Sequence, residues 1–89
     1  MKIILTVTGH DHVGIVSAVT SELTRRNVNI VNISQTLMEE HFTMILKGEF
    51  DDSQQTIQDL QTAFEPVAAE QKVRIRIQSE AIFDAMHTI

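Results

Sequence analysis

The chain has 89 residues, of which 43% are hydrophobic and 21% are charged, as in ordinary globular proteins. This length makes one small domain, with no room for a second independent core. The net charge of −5 argues against a nucleic-acid partner, and the absence of cysteine excludes disulfides and thiolate metal sites. No stretch has the pattern of a signal peptide or a membrane span, so the sequence predicts a cytoplasmic domain without a membrane partner.

The first two predicted elements are a strand and a helix. Residues 2–8 alternate in hydrophobicity and are rich in β-branched residues, which is typical of a strand. From residue 13 onward the apolar residues recur at helical spacing. Asp11 is predicted to cap the start of this helix, and residues 25–27, Arg-Arg-Asn, to end it. The residues expected to point inward from the strand are Ile3, Leu5 and Val7.

A β-hairpin is predicted next. Its first strand covers residues 28–38, where the apolar residues change parity, so a bulge is expected near Asn32. The turn is placed at residues 39–41, Glu-Glu-His. The second strand covers residues 42–50 and alternates regularly. Its predicted inward residues are Phe42, Met44, Leu46 and Phe50.

The second helix is predicted to be capped by residues 51–53, Asp-Asp-Ser, with Gln55 three residues after Asp52 as the partner in a capping box. Pro66 interrupts the helical pattern, so the helix is expected either to kink there or to end and restart. The predicted buried stripe consists of Ile57, Leu60, Phe64, Val67 and Ala68.

A strand and a short tail helix complete the chain. Residues 72–78 alternate between apolar residues and cations, which predicts a strand with Val73, Ile75 and Ile77 inward. The last ten residues, 80–89, predict a short amphipathic helix. Its apolar residues are Ile82, Phe83, Met86 and Ile89, and His87 is expected to be solvated.

The element order β-α-β-β-α-β predicts an α+β fold of the ferredoxin-like arrangement. Two right-handed crossovers joined by a hairpin give a four-stranded antiparallel sheet with two helices on one face. Residues 1–79 are expected to form the domain and residues 80–89 a helical extension of it. The other sheet face mixes apolar and polar residues, so we expect partial cover by the tail helix or by a partner subunit.

The loop before the first helix is the most informative stretch for function. In residues 9–16, GHDHVGIV, a glycine stands inside the first predicted helical turn, where it weakens the helix by about 1 kcal/mol relative to alanine. The free amides of Val13, Gly14 and Ile15 at a helix start are suited to a carboxylate. Asp11 is one candidate acceptor for an ammonium group. The simpler alternative is that Asp11 caps the helix and Gly14 only packs closely.

Two asparagines on the following strand are further candidate acceptors for that ammonium group, namely Asn29 and Asn32. Donors for a carboxylate combined with acceptors for an amine are what a free amino acid requires.

Three histidines also belong to this region or to the hairpin. His10 and His12 flank Asp11, which leaves a metal-binding protein as an alternative, although a zinc or nickel site needs three convergent ligands.

Two motifs resemble the ACT domain family. Residues 11–16, DHVGIV, and residues 28–30, VNI, are similar to the family's helix-one and strand-two patterns, and the likeness extends over residues 2–79. The tail is similar to that of small stand-alone bacterial ACT proteins, which resemble the ACT halves of the glycine-cleavage repressor. By position, the resemblance implies ligand contacts from Asp11, Gly14 and Ile15 and, on strand two, from Asn29 and Ile30.

The resemblance implies a non-enzymatic regulatory module that needs no cofactor. Such a module binds an amino acid or a similar small ligand at an interface between paired domains, so a homo-oligomer, either a dimer or a larger assembly, is expected. A protein-interaction module without a small ligand remains the main alternative. His10 and His12 are not part of the general family pattern, and their role stays open at this point.

Overall fold

The computed structural model describes residues 1–86. It contains four strands and three helices in the predicted order. They are β1 (Lys2–His10), α1 (Ile15–Arg25), β2 (Asn29–Met38), β3 (His41–Glu49), α2 (Ile57–Gln71), β4 (Arg74–Ser79) and α3 (Glu80–Met86). Among the described residues, no helix is long and apolar enough to cross a membrane.

The four strands form one antiparallel sheet in the order β2-β3-β1-β4. This arrangement confirms the predicted ferredoxin-like fold, with β1 and β3 in the centre and β2 and β4 at the two edges. The register between β2 and β3 shifts between Ile30 and Asn32, which confirms the expected bulge. The hairpin turn is shorter than predicted, because His41 already pairs with Met38.

The hydrophobic core lies between the sheet and helices α1 and α2. The alternating residues predicted to point inward from β1 and β3 are buried, since a strand presents every second side chain to the same face. Val19 and Leu23 of α1 and Leu60 and Phe64 of α2 close the core from the helix side. The predicted stripe of α2 is therefore confirmed at its centre, while Ile57, Val67 and Ala68 are only partly buried.

The prediction for the second helix start was wrong. Thr56 is the N-cap of α2, and it forms a capping box with Asp59 in which each side chain bonds to the other residue's backbone N–H. The carboxylate of Asp51 instead accepts hydrogen bonds from the backbone and hydroxyl of Ser53, so residues 51–53 form a turn. Helix α2 continues through Pro66 without interruption, so it does not end and restart there.

The structure corrects the predicted start of β4 and shows where the tail helix packs. Lys72 has left-handed backbone geometry and ends α2, so β4 begins two residues later than expected. Helix α3 packs on β1 and β4, and Glu80 pairs with Lys47 on the sheet face opposite the core. Ile4 on that face is 93% buried in consequence, which confirms partial cover by the tail helix. The expectations for His87 and Ile89 lie outside the described residues.

Candidate functional site

Residues 11–14 connect the end of β1 to the start of α1. Asp11 was predicted to cap α1, and this prediction was wrong, because the cap position falls three residues later. The backbone N–H of Asp11 donates to the carbonyl oxygen of Glu40 in the hairpin turn (2.9 Å). The N-cap is Gly14, and no side chain caps the helix. The loop is therefore fixed by a backbone bond to the neighbouring hairpin, while the first N–H groups of α1 are left without a side-chain acceptor.

The structure explains why residue 14 is a glycine. It lies at the N-cap, not within the first turn, and its φ of 102° is a left-handed conformation that favours glycine. A Cβ built on Gly14 would meet only the Oε1 atom of Gln71, at 4.0 Å. Close packing within the chain therefore does not explain this glycine. Its backbone geometry does, and the space beside it is open.

The two residues flanking Gly14 differ sharply in exposure. Val13 is 100% exposed, whereas Ile15 is 1% exposed and belongs to the hydrophobic core. Of the predicted site residues in this loop, Ile15 therefore has only its backbone N–H available, since its side chain lies in the core. An apolar side chain in full contact with water beside an open glycine marks a surface that gains free energy when it is covered.

The structure does not bring Asn29, Ile30 and Asn32 to this loop within one chain. The register aligns Asn29 with Glu49 of β3, and Glu49 in turn with Lys2 of β1. This is the start of β1, whereas Asp11 follows its end. At about 3.3 Å per strand residue, Asn29 and Asp11 are separated by roughly 30 Å along the strand direction. The predicted site residues therefore form two groups at opposite ends of the sheet.

The three histidines near the loop diverge. The rings of His10 and His41 lie 5.6 Å apart, and the Nδ1 atom of His10 is 4.0 Å from a carboxylate oxygen of Glu40. His12 turns the other way and bonds to the carbonyl oxygen of Gln71 (2.7 Å). Within residues 1–86 no group of three or more potential ligands is placed to hold a metal ion. The structure therefore does not support a metal site at His10, Asp11 and His12.

Gln71 is the residue near the loop that the sequence analysis missed. It is the last residue of α2, yet its backbone carbonyl oxygen bonds to His12 of the loop and its side-chain Oε1 lies 4.0 Å from where a Cβ of Gly14 would be. Nothing in the local sequence pattern distinguishes it from the other glutamines of α2. Its position depends on how the end of α2 packs against the start of α1.

The groups with shifted pKa values lie away from this loop. The hydrogen bond between Lys47 and Glu80 (2.6 Å) lowers the pKa of the Glu80 carboxyl and raises the pKa of the Lys47 ammonium. The hydrogen bonds from Ser53 lower the pKa of Asp51 in the turn before α2. These shifts arise from structural pairs, so the loop is defined by its backbone donors and its open space.

The sheet order, the two β-α-β halves and the open glycine loop define a small ferredoxin-like α+β domain. The family model of the ACT domain matches residues 2–78, and the chain belongs to the ACT domain family. It is 52% identical to a UPF0237 protein of Corynebacterium efficiens and 40% identical to one of Clostridium perfringens, over the full length of each chain. The resemblance noted from the sequence is thereby confirmed.

Solved structures show the same fold. An ACT domain protein from Streptococcus pneumoniae superposes with a TM-score of 0.83, is 41% identical, and matches over 98% of both chains. A protein described as a glycine cleavage system transcriptional repressor has a TM-score of 0.76 and 18% identity, and the match covers 86% of this chain and 44% of that one. At this lower identity the likeness extends to the fold alone.

Proposed function

We propose that this protein is a non-enzymatic, cytoplasmic regulatory module that binds a free amino acid, or a similar small zwitterion, at the interface of a homo-oligomer. In this proposal residues 1–79 form the binding domain and residues 80–89 extend it. The observation that carries the proposal is the uncapped start of α1 beside Gly14, whose missing side chain leaves space for a ligand.

The carboxylate end of the ligand is assigned to the start of α1. The first N–H groups of a helix have no intrahelical acceptor, and the helix dipole adds positive potential at the same place. No acidic residue stands in the first turn of α1 to occupy these donors. An α-carboxylate at Gly14 would accept hydrogen bonds from the N–H groups that a side-chain cap would otherwise use.

The second half of the site is assigned to another copy of the chain, which pairs through β2. This strand lies at the sheet edge, is ten residues long and contains no charged residue. Three of its apolar side chains are more than half exposed: Val31, Leu37 and Met38. A long, uncharged edge strand is a template for pairing with a further strand.

Antiparallel pairing of two β2 strands around a two-fold axis brings the separated groups together. The end of β2 is level with the end of β1, since Met38 aligns with His41 and His41 with His10. In a two-fold antiparallel pair, the start of the second copy's β2 lies beside this end. Asn29, Ile30 and Asn32 of one copy thus lie at the same end of the joined sheet as residues 11–15 of the other, and the asparagine oxygens and Asp11 are suited to an ammonium group.

Amino-acid binding is tested by thermal shift with a panel of all common amino acids on the unmodified protein. At a ligand concentration one hundred times the dissociation constant, binding stabilises the folded state by about 2.7 kcal/mol, which is easily measured. Asn29→Ala is expected to weaken the effect, because it removes an exposed amide from the proposed site. Gly14→Val is less informative, since any other residue at a φ of 102° strains the backbone by roughly 1–3 kcal/mol.

The matched control is Gln35→Ala, which removes another exposed amide from the same strand. It should leave ligand stabilisation unchanged. A panel that stabilises nothing at millimolar concentration, with the protein folded by circular dichroism, contradicts the amino-acid proposal. If such a protein is still dimeric through β2, the module mediates protein interaction without a small ligand.

A further inference from the structure

The end of α2 is bonded to the loop of the proposed site. The Nε2 atom of His12 lies 2.7 Å from the carbonyl oxygen of Gln71, fifty-nine residues later in the chain. A carbonyl oxygen only accepts, so Nε2 carries the proton and donates. The other ring nitrogen, Nδ1, lies 3.1 Å from the carbonyl oxygen of Val13. His12 therefore bridges the loop and the last residue of α2.

The residue that His12 bonds, Gln71, also has its side chain near Gly14. Its Oε1 atom is the nearest neighbour of the open space at Gly14, 4.0 Å from where a Cβ would lie. The side chain is half-buried, and its amide makes no hydrogen bond to any residue between 1 and 86. Gln71 also lies at the end of a groove of about 310 Å³ between α1 and α2.

We infer that His12 positions the end of α2 so that Gln71 forms a third wall of the ligand site and selects ligands with a hydrogen-bonding side chain. This inference rests on the proposed function. A half-buried amide gains free energy from a ligand that offers it a partner, and it is left unpaired by an aliphatic ligand. The preferred ligands are therefore amino acids with hydroxyl or amide side chains.

The two histidines of the loop have different roles in this inference. His10 faces His41 and Glu40 on the hairpin side and makes no contact with Gln71 that the structure records. His12 alone reaches α2. One histidine is thus a positioning residue for the site, whereas its neighbour two positions earlier serves as a natural control.

The selectivity is tested with Gln71→Leu, which keeps a similar volume and removes the hydrogen-bonding groups. Apparent dissociation constants are measured by thermal-shift titration with polar and aliphatic amino acids. The variant should bind polar amino acids about tenfold more weakly, which corresponds to one lost hydrogen bond, and aliphatic ones equally well or better. Gln58→Leu, at an exposed position of the same helix, should change neither class.

The positioning role is tested with three histidine variants. His12→Ala should weaken binding of every stabilising amino acid, since the loop and α2 are no longer bridged. His12→Gln should restore binding, because its side-chain N–H extends about as far as Nε2. His10→Ala should bind as the unmodified protein does. If His12→Ala fails to fold, the dissociation constants of Gln71→Leu and His12→Gln still test the inference.

The outcomes separate this inference from the proposed function. An unmodified protein that no amino acid stabilises overturns both. A protein stabilised by an amino acid, but with the same affinity ratio for polar and aliphatic ligands in Gln71→Leu, overturns the inference and leaves the proposed function standing. Equal binding by His12→Ala and His10→Ala removes the positioning role of His12.

Discussion

The two edges of this sheet are protected very differently. β4 is six residues long and carries Arg74 and Arg76, and the Gln61 amide of α2 donates to the carbonyl oxygen of its Ile77 (2.9 Å). β2 is ten residues long and has no charged residue. Short length, outward cations and a covering helix are devices that prevent edge-to-edge association. The β4 edge of the sheet is therefore protected against pairing with another strand, whereas the β2 edge is available for it.

The difference concerns the stability of a small domain and the assembly proposed for it. An 89-residue chain has a limited core, so its stability depends on a few well-packed contacts. These contacts gather where α2 covers β4, whereas α1 packs more lightly on β2. The weakly covered edge is also the edge that carries Asn29 and Asn32. The four predictions that follow probe this contrast.

The largest effect is expected from truncation of the core under β4. Phe64 is 2% exposed and packs in the core between α2 and the sheet, so Phe64→Ala should cost about 3–5 kcal/mol of unfolding free energy. Leu37→Ala on β2 should cost less than about 0.5 kcal/mol, because Leu37 is largely exposed. Urea unfolding followed by circular dichroism measures both, since the chain has no tryptophan or tyrosine. Equal costs would show that β2 is as deeply buried in the assembly as the core is.

The second effect concerns assembly. Ser34 lies near the middle of β2, so a two-fold pair brings both copies of a Ser34→Glu change close together. The dimer dissociation constant should rise at least about 100-fold, which light scattering after size-exclusion chromatography will detect. Arg74→Glu introduces the same carboxylate at the β4 edge and should leave the dimer intact. The reverse result would assign pairing to β4, and a monomeric unmodified protein would contradict pairing through either edge.

The third effect concerns the hydrogen bond between α2 and β4. Gln61→Leu removes the donor to the Ile77 carbonyl, and the expected cost is about 0.5–1.5 kcal/mol in urea unfolding. Gln58→Leu on the same helix serves as its control, with no measurable change expected. Protein concentration must be held constant, because association stabilises the folded state. An unchanged midpoint in Gln61→Leu would mean that this bond contributes nothing to the protection of β4.

The smallest effect is the acid sensitivity of α3, which covers β1 and β4 on the other face. Because the pKa of Glu80 is lowered by Lys47, the pair stabilises the folded protein above about pH 4.3, the value for an unfolded glutamate, and loses this as pH falls through the folded value. The pKa of Lys47 is raised, so the high-pH loss follows deprotonation of Lys47. The Lys47 side chain is 35% exposed, and screening keeps the effect small.

This effect is measured with Glu80→Gln at two pH values. The urea midpoint of the variant should fall slightly below that of the unmodified protein at pH 7, and this gap should close as the pH falls through the lowered pKa of Glu80. Glu65→Gln, at an exposed position of α2, provides the comparison without a lysine partner. A gap between Glu80→Gln and the unmodified protein that persists in acid would assign the contribution of Glu80 to packing instead of charge.

The element order and core followed from local patterns, whereas the helix starts did not. Alternation along β1 and β3 identified buried residues such as Leu5 and Met44, because a strand turns every second side chain to one face. Asp11 and residues 51–53 had good capping chemistry, but the helices begin several residues later, with Gly14 and Thr56 at the N-cap positions. A capping residue works only where the helix starts beside it, and the starts of α1 and α2 depend on how the helices pack in the fold.

The candidate site divides in the same way. Its loop was identifiable from Gly14 and the ACT-like motif, and Asn29 and Asn32 from the following strand. That these groups lie at opposite ends of one chain followed only from the register of three strands. Gln71 was missed altogether, since nothing near it in the sequence indicates where the end of α2 lies.

By itself, the sequence determined the α+β class, the ACT family, the buried faces and the loop around Gly14. All of these can be recognised from short-range periodicity and local motifs. Only the tertiary structure decided that Gly14 is required by its backbone conformation, that β2 is the open edge, and that His12 joins the loop to Gln71. Those features depend on contacts between residues far apart in the chain, whose geometry is set when the sheet and helices pack together.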